Sequence, residues 1–85
     1  MKKYVAVFRS RTDVMSFIDD MKKNSNYAKA IPTPREAKLG CGISAEFSSN
    51  GIVVAKRLIG YRNYPSFYAI IVIENKYGVT TVKRI

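Results

Sequence analysis

Seven consecutive residues, Phe67 to Ile73, are apolar without a break, and this run limits the fold more than any other feature of the chain. A surface helix buries one stripe and a half-exposed strand alternates, so an unbroken apolar run of this length suits a strand covered on both faces. The start of the chain carries a related pattern. Between Lys3 and Arg9, Val5 and Val7 fall on one face of an extended segment while Tyr4, Ala6 and Phe8 fall on the other. Two strands of this kind belong at the centre of a sheet, and the rest of the chain must cover them.

The covering elements can be read from their periodicity. Ser10 followed by Asp13 has the form of a capping box, and Val14, Phe17, Ile18 and Met21 then recur at helical spacing up to Asn24–Asn26. Asp19 and Asp20 lie outside that stripe and read as a solvated helix face. Tyr27 to Ile31 predicts a short strand stopped by Pro32, whose missing N–H suits a strand end or an edge. Ile43, Ala45 and Phe47 alternate with Ser44 and Glu46 in a third strand over 42–47. Ser48-Ser49-Asn50 offers N-caps for a second helix with a stripe of Ile52, Ala55, Leu58 and Ile59, ending near Gly60, although the β-branched run Ile52-Val53-Val54 favours a strand. After the central strand at 67–73, a turn over 74–78 leads to a last strand over 79–85, where Lys83 and Arg84 suit a charged edge. The predicted order is strand, helix, strand, strand, helix, strand, with one further strand. That is an α+β, ferredoxin-like βαββαβ antiparallel sheet with two helices on one face and an extra C-terminal strand. The second face of such a sheet is open, and apolar residues there point to self-association.

With 85 residues, the chain is expected to be a single domain over 1–85, burying roughly 60–65% of its unfolded surface. The basic start Met1-Lys2-Lys3 is followed by an apolar run too short for a signal peptide, and no stretch approaches the ~20 apolar residues of a membrane span, so a cytoplasmic protein is expected. Fifteen Lys and Arg against six Asp and Glu give a net charge of +9. Such a field attracts nucleic acid, acidic protein surfaces and anionic ligands, or serves solubility alone.

Histidine is absent and cysteine occurs once, at Cys41. This excludes an internal disulfide, an all-cysteine zinc site, imidazole-ligated metals, and serine or cysteine nucleophiles activated by histidine. No metal and no cofactor is expected. Much of conventional enzyme chemistry is thereby excluded, which leaves a binding role more in keeping with the composition than a classical enzyme.

Cys41 sits in the most turn-rich stretch, Ile31 to Gly42. Thr33 at an N-cap, Pro34 at the first helical position and Glu36 at the third together predict a short helical turn that Gly40 can close. A thiol acts as a nucleophile through its thiolate, and an ordinary pKa of about 8.5 leaves little of it at neutral pH. Arg35 and Lys38 would favour the thiolate, as would backbone N–H groups around Gly40 and Gly42, whereas the end of a helical turn would oppose it. Two readings of Cys41 stand side by side: a nucleophile presented between two glycines, or a small buried residue in a turn.

The elements Pro32-Thr33-Pro34-Arg35-Glu36 and Cys41-Gly42 resemble those of a family of small bacterial domains described as selenium or sulfur carrier-like, over the region from the first strand through Phe47. Ala37-Lys38-Leu39-Gly40 stands where small hydroxylated residues are common in that family, and the C-terminal part is extended. The resemblance implies that Cys41 accepts sulfane sulfur or selenium as a persulfide or selenopersulfide and passes it on. Its partners would be a donor such as a cysteine desulfurase and an acceptor protein. Thr33, Arg35, Glu36, Lys38, Gly40 and Gly42 would support the thiol.

A second function class rests on the segment 56–68, where Lys56, Arg57 and Arg62 interleave with Tyr61, Tyr64, Phe67 and Tyr68. Cations for phosphates and rings for bases suit single-stranded nucleic acid, although no RNP1-like run is present. A third class is a protein-interaction domain with a structural cysteine.

Overall fold

The structure is a computed structural model that describes residues 2–35, 42–62 and 64–85. Its elements are β1 (Lys2–Phe8), α1 (Arg11–Lys23), β2 (Ala28–Pro32), β3 (Ile43–Phe47), α2 (Ile52–Arg62), β4 (Phe67–Lys76) and β5 (Val79–Arg84), with a 3-10 turn at Ser49–Gly51 leading into α2. The strands form one five-stranded sheet in the order β2-β3-β1-β4-β5. All four neighbouring pairs are antiparallel. The α+β class, the antiparallel sheet, the two helices and the added C-terminal strand agree with the sequence pattern.

The two fully apolar strands lie side by side near the centre, with Val5 opposite Ile71 and Ala6 opposite Ile70. β2 and β5 take the edges. Pro32 ends the first of these edge strands, and Lys83 and Arg84 charge the second, as expected.

Both helices pack on one face of the sheet. Phe8, Phe47 and Ile70 from the strands meet Val14, Phe17 and Met21 of α1 and Ala55 and Leu58 of α2 in the main core. The β-branched run Ile52-Val53-Val54 is helical, with Ile52 and Val54 packed against the main core and Val53 exposed. The helix also continues through Gly60 to Arg62 instead of ending at the glycine.

The opposite face is a smaller core made only of strand residues. Val5 and Val7 are fully buried and Ala69 and Ile71 nearly so, with Ile31, Tyr68 and Ile73 packed against them. The expectation of an open apolar patch there needs correction, because the central rows are already shielded.

A second correction concerns Asp20. It is 6% exposed, whereas Asp19 faces solvent. The Tyr64 hydroxyl donates a 2.6 Å hydrogen bond to Asp20 Oδ2, and Arg62 Nε lies 3.4 Å from the same oxygen. A buried carboxylate is tolerable only with such partners, so Asp20 joins α1 to the chain that leaves α2.

The N-terminus of α1 uses a third residue in its cap. The Asp13 N–H donates to Ser10 Oγ at 3.4 Å, but the Ser10 N–H donates to Ser66 Oγ, and both the N–H and the hydroxyl of Ser66 donate to Asp13 Oδ2. Ser66 thus replaces the reciprocal half of the capping box and ties the start of α1 to the start of β4.

Strand β4 runs to Lys76, so the turn expected over 74–78 shrinks to Tyr77-Gly78, with φ of 53° and 77°. Two positive φ values are those of a type I′ hairpin, which favours Asn at the first position and tolerates Tyr poorly. Tyr77→Asn should therefore raise stability by roughly 0.5–1 kcal/mol, measured as an upward shift of the denaturant midpoint at unchanged slope.

Burial, and then the bond to Asp20, push the Tyr64 hydroxyl far above its ordinary value of 10.0. The folded state holds this proton more tightly than the unfolded chain does. The resulting stability is intact below pH 10.0 and is lost as pH rises beyond it. Tyr64→Phe should cost about 1–3 kcal/mol at pH 7, because Asp20 loses a donor, and should flatten the fall in stability above pH 10.0 relative to wild type in pH-dependent denaturation.

Candidate functional site

β1 runs antiparallel to both β3 and β4. The end of β1 at Phe8 and Arg9, the end of β2 at Pro32 and the starts of β3 and β4 therefore share one end of the sheet. Residues 33–42, which the sequence singles out, connect β2 to β3 at that end. Of the predicted site residues, Thr33, Arg35 and Gly42 are described, and Glu36, Lys38, Gly40 and Cys41 lie outside the described residues.

The base of the connection is a closed hairpin. Pro32 is in register with Ile43, and the Thr33 N–H donates to the Gly42 carbonyl at 3.0 Å, one step beyond the last strand pair. The Thr33 hydroxyl shares a 2.9 Å hydrogen bond with the Ser44 hydroxyl. Ser44 is fully buried, so this bond satisfies a hydroxyl that would otherwise be costly. Its intended partner as an N-cap, the backbone of residue 36, lies outside the described residues. Arg35 is exposed and adopts 3-10 helical conformation, in keeping with the helical start expected after Pro34.

Gly42 has φ +121°, and a Cβ built on it would meet nothing within 4 Å. The glycine is therefore set by backbone conformation and not by crowding. It turns the chain that leaves Cys41 into β3.

Ser44 is in register with Ile31, and Ile31 packs on the helix-free core, so the hydroxyl pair belongs to that face. On the same face, across β1, is Tyr68. The β1–β4 register shifts between Val7, opposite Ala69, and Phe8, opposite Phe67, which leaves Tyr68 as the extra residue of a bulge. The guanidinium carbons of Arg9 and Arg84 lie 5.6 Å and 5.1 Å from the centre of its ring. Arg84 Nη2 also donates to the Tyr68 carbonyl at 3.2 Å. Sequence reasoning passed over Arg9, Ser44 and the part Arg84 plays here, because strand register alone brings them to one place.

The aromatic and basic residues of 56–68 are dispersed. Tyr64 is bound to Asp20, Phe67 packs on the main core, Arg62 pairs with Asp20, and Tyr68 faces the opposite side of the sheet. Lys56, Arg57 and Tyr61 remain exposed on α2. No stacking platform results from this group.

Among the described residues, no group of three or more acidic or cysteine side chains is arranged to hold a metal, and no helix is long and apolar enough to cross a membrane. The shared end is therefore a closed hairpin mouth on one side and an arginine-flanked ring on the other. Two arginines thus lie at the end of the sheet where β2 leads towards β3.

A family model described as "Putative Se/S carrier protein-like" matches residues 3–65, from β1 through the connection that precedes β4. The chain belongs to this family. The match extends well past Phe47, where the resemblance read from the motif ends, and stops before the β4–β5 hairpin. No curated protein and no solved structure matches the chain.

Gly42→Ala should destabilise the domain by roughly 1–3 kcal/mol through backbone strain, whereas Gly60→Ala, at an exposed helical position with nothing within 4 Å of its Cβ, should stabilise it by about 0.5–1 kcal/mol. Chemical denaturation of the two variants checks the opposite signs.

Proposed function

We propose that the protein is a cytoplasmic sulfur or selenium carrier that loads on Cys41. Membership of the Se/S carrier-like family is the observation that carries this reading. Further support comes from the Gly42 conformation and the closed hairpin base, which fix the chain on the C-terminal side of the cysteine. We read the topology as a ferredoxin-like βαββαβ unit with an appended strand, and the order β2-β3-β1-β4 within the sheet supports this.

The chemistry needs one thiolate, no metal and no net oxidant. The Cys41 thiolate attacks the outer sulfur of a donor persulfide, the donor's S–S bond breaks, and the donor thiolate leaves with the electron pair. The product is a Cys41 persulfide plus the donor thiolate, with one negative charge on each side of the step, and the acidic persulfide proton is then lost to solvent. An acceptor thiolate then attacks the outer sulfur of Cys41 by the same displacement and regenerates the carrier. Selenium follows the same course. Arg35 and Lys38 act in this scheme as cations that favour the thiolate over the thiol.

The protein, incubated with a cysteine desulfurase and cysteine, should gain the mass of one or more sulfur atoms, removable by a thiol reductant. Cys41→Ala should gain none in the same intact-mass measurement. Equal labelling of both proteins, or of neither, overturns the carrier role.

A further inference from the structure

We infer that the helix-free face around Tyr68 docks an acidic segment of a partner protein, whose carboxylates pair with Arg9 and Arg84. The choice of a protein as partner rests on the carrier reading, since the donor and acceptor of such a carrier are proteins. The rest stands on geometry and charge.

Arg9 and Arg84 bring two positive charges to one ring, at 5.6 Å and 5.1 Å from its centre. The ring quadrupole attracts each cation, but it supplies no net negative charge to offset their repulsion. Among the described residues, neither arginine forms an ion pair with a carboxylate. Arg84 uses one donor on the Tyr68 carbonyl, and the remaining guanidinium donors suit bidentate carboxylates.

The charge of the whole face points the same way. By register and alternation, its described residues include Lys3, Lys29 and Arg84, joined by Arg9, against the single carboxylate Glu46. Glu46 already lies 3.7 Å from Lys29. A partner brought here must supply the missing negative charge, and a field of this sign also speeds its arrival.

Two other occupants fit less well. A second copy carries the same +9 charge, and a twofold interface on this face would set its arginines near those of the first. Single-stranded nucleic acid needs several rings for stacking, but Tyr68 is the one aromatic residue in the helix-free core and two guanidiniums already lie over its ring.

The test uses the full chain and two fluorescent probes of equal charge, a short peptide of Asp, Glu and Leu and an oligothymidylate. The peptide should bind wild type and lose roughly tenfold or more in affinity with R9Q/R84Q, but less than about twofold with K56Q/R57Q, which removes the same charge from α2. In wild type, amide shifts on titration should concentrate at Tyr68, Ala69 and Arg84. The charge-reversed R9E/R84E should exchange this preference for a Lys-rich peptide, which keeps the test decisive if the neutral variant folds poorly. Equal losses in both double variants, absence of peptide binding, shifts centred on α2, or tighter Arg9- and Arg84-dependent binding of the oligonucleotide each overturn the inference. Cys41→Ala should keep the peptide site, and R9Q/R84Q should still accept sulfur from inorganic polysulfide. Failure of docking is thereby separated from failure of the carrier chemistry.

Discussion

Phe8 and Phe17, with ring centres 5.4 Å apart, join the end of the central strand to the first helix, and the other large rings are arranged around them. Tyr64 meets both edge-on, at 5.5 Å and 5.7 Å. Phe67 lies 5.6 Å from Phe8, and Phe47 lies 6.1 Å from Phe17. These residues come from β1, α1, β3, β4 and the chain after α2, so one cluster fixes the relative positions of most elements. Edge-to-face pairs of this kind contribute about 0.5–1.5 kcal/mol each beyond the area they bury. The cluster also requires Phe8 and Phe67 to point to the helix side together. The register shift between Val7 and Phe8 meets that requirement and leaves Tyr68 on the other face, within reach of Arg9 and Arg84. A packing demand in the main core thus creates the polar feature on the opposite side.

This coupling explains what the sequence could and could not reveal. The centrality of β1 and β4 was legible because both faces of each strand are apolar, and α1 was legible because its stripe and its Ser10 cap agree. The bulge was not legible, since strict alternation through a uniformly apolar run carries no mark at the point where it fails. Asp20 illustrates the same limit. Its place outside the regular stripe of α1 suggested solvent, and only the return of Tyr64 and Arg62 from the far side of α2 makes burial affordable. Within the candidate site, Pro32 ends β2 as its missing N–H suggested, and Gly42 has the backbone that only glycine adopts freely. The role of Thr33 against Ser44 depended on cross-strand register, which no local motif encodes.

The two faces of the sheet divide the work of the domain. One face is closed by α1 and α2, where Asp20, Tyr64 and the main core supply cohesion. The other carries a thin apolar core under a fringe of cations, with the hairpin mouth at Thr33 and Gly42 on the same end as Tyr68. A partner that approaches this end from the helix side meets packed helices, whereas one that approaches from the opposite side meets guanidiniums.

That asymmetry suits displacement at sulfur. A thiolate must approach its target sulfur roughly along the bond that will break, so donor and carrier have to be oriented as well as brought together. A chain without histidine lacks the side chain whose ordinary pKa suits proton relay at neutral pH, and a displacement by a thiolate does not depend on one. What it needs is stabilised anions before and after transfer and a repeatable docking angle. In the proposed docking, guanidiniums held by a ring and a carbonyl would fix orientation better than freely rotating lysines. The same reasoning separates the two sets of cations on this protein. On the docking inference, Lys56 and Arg57 on α2 would add only to the long-range field, whereas Arg9 and Arg84 would set the angle at which an acidic partner arrives.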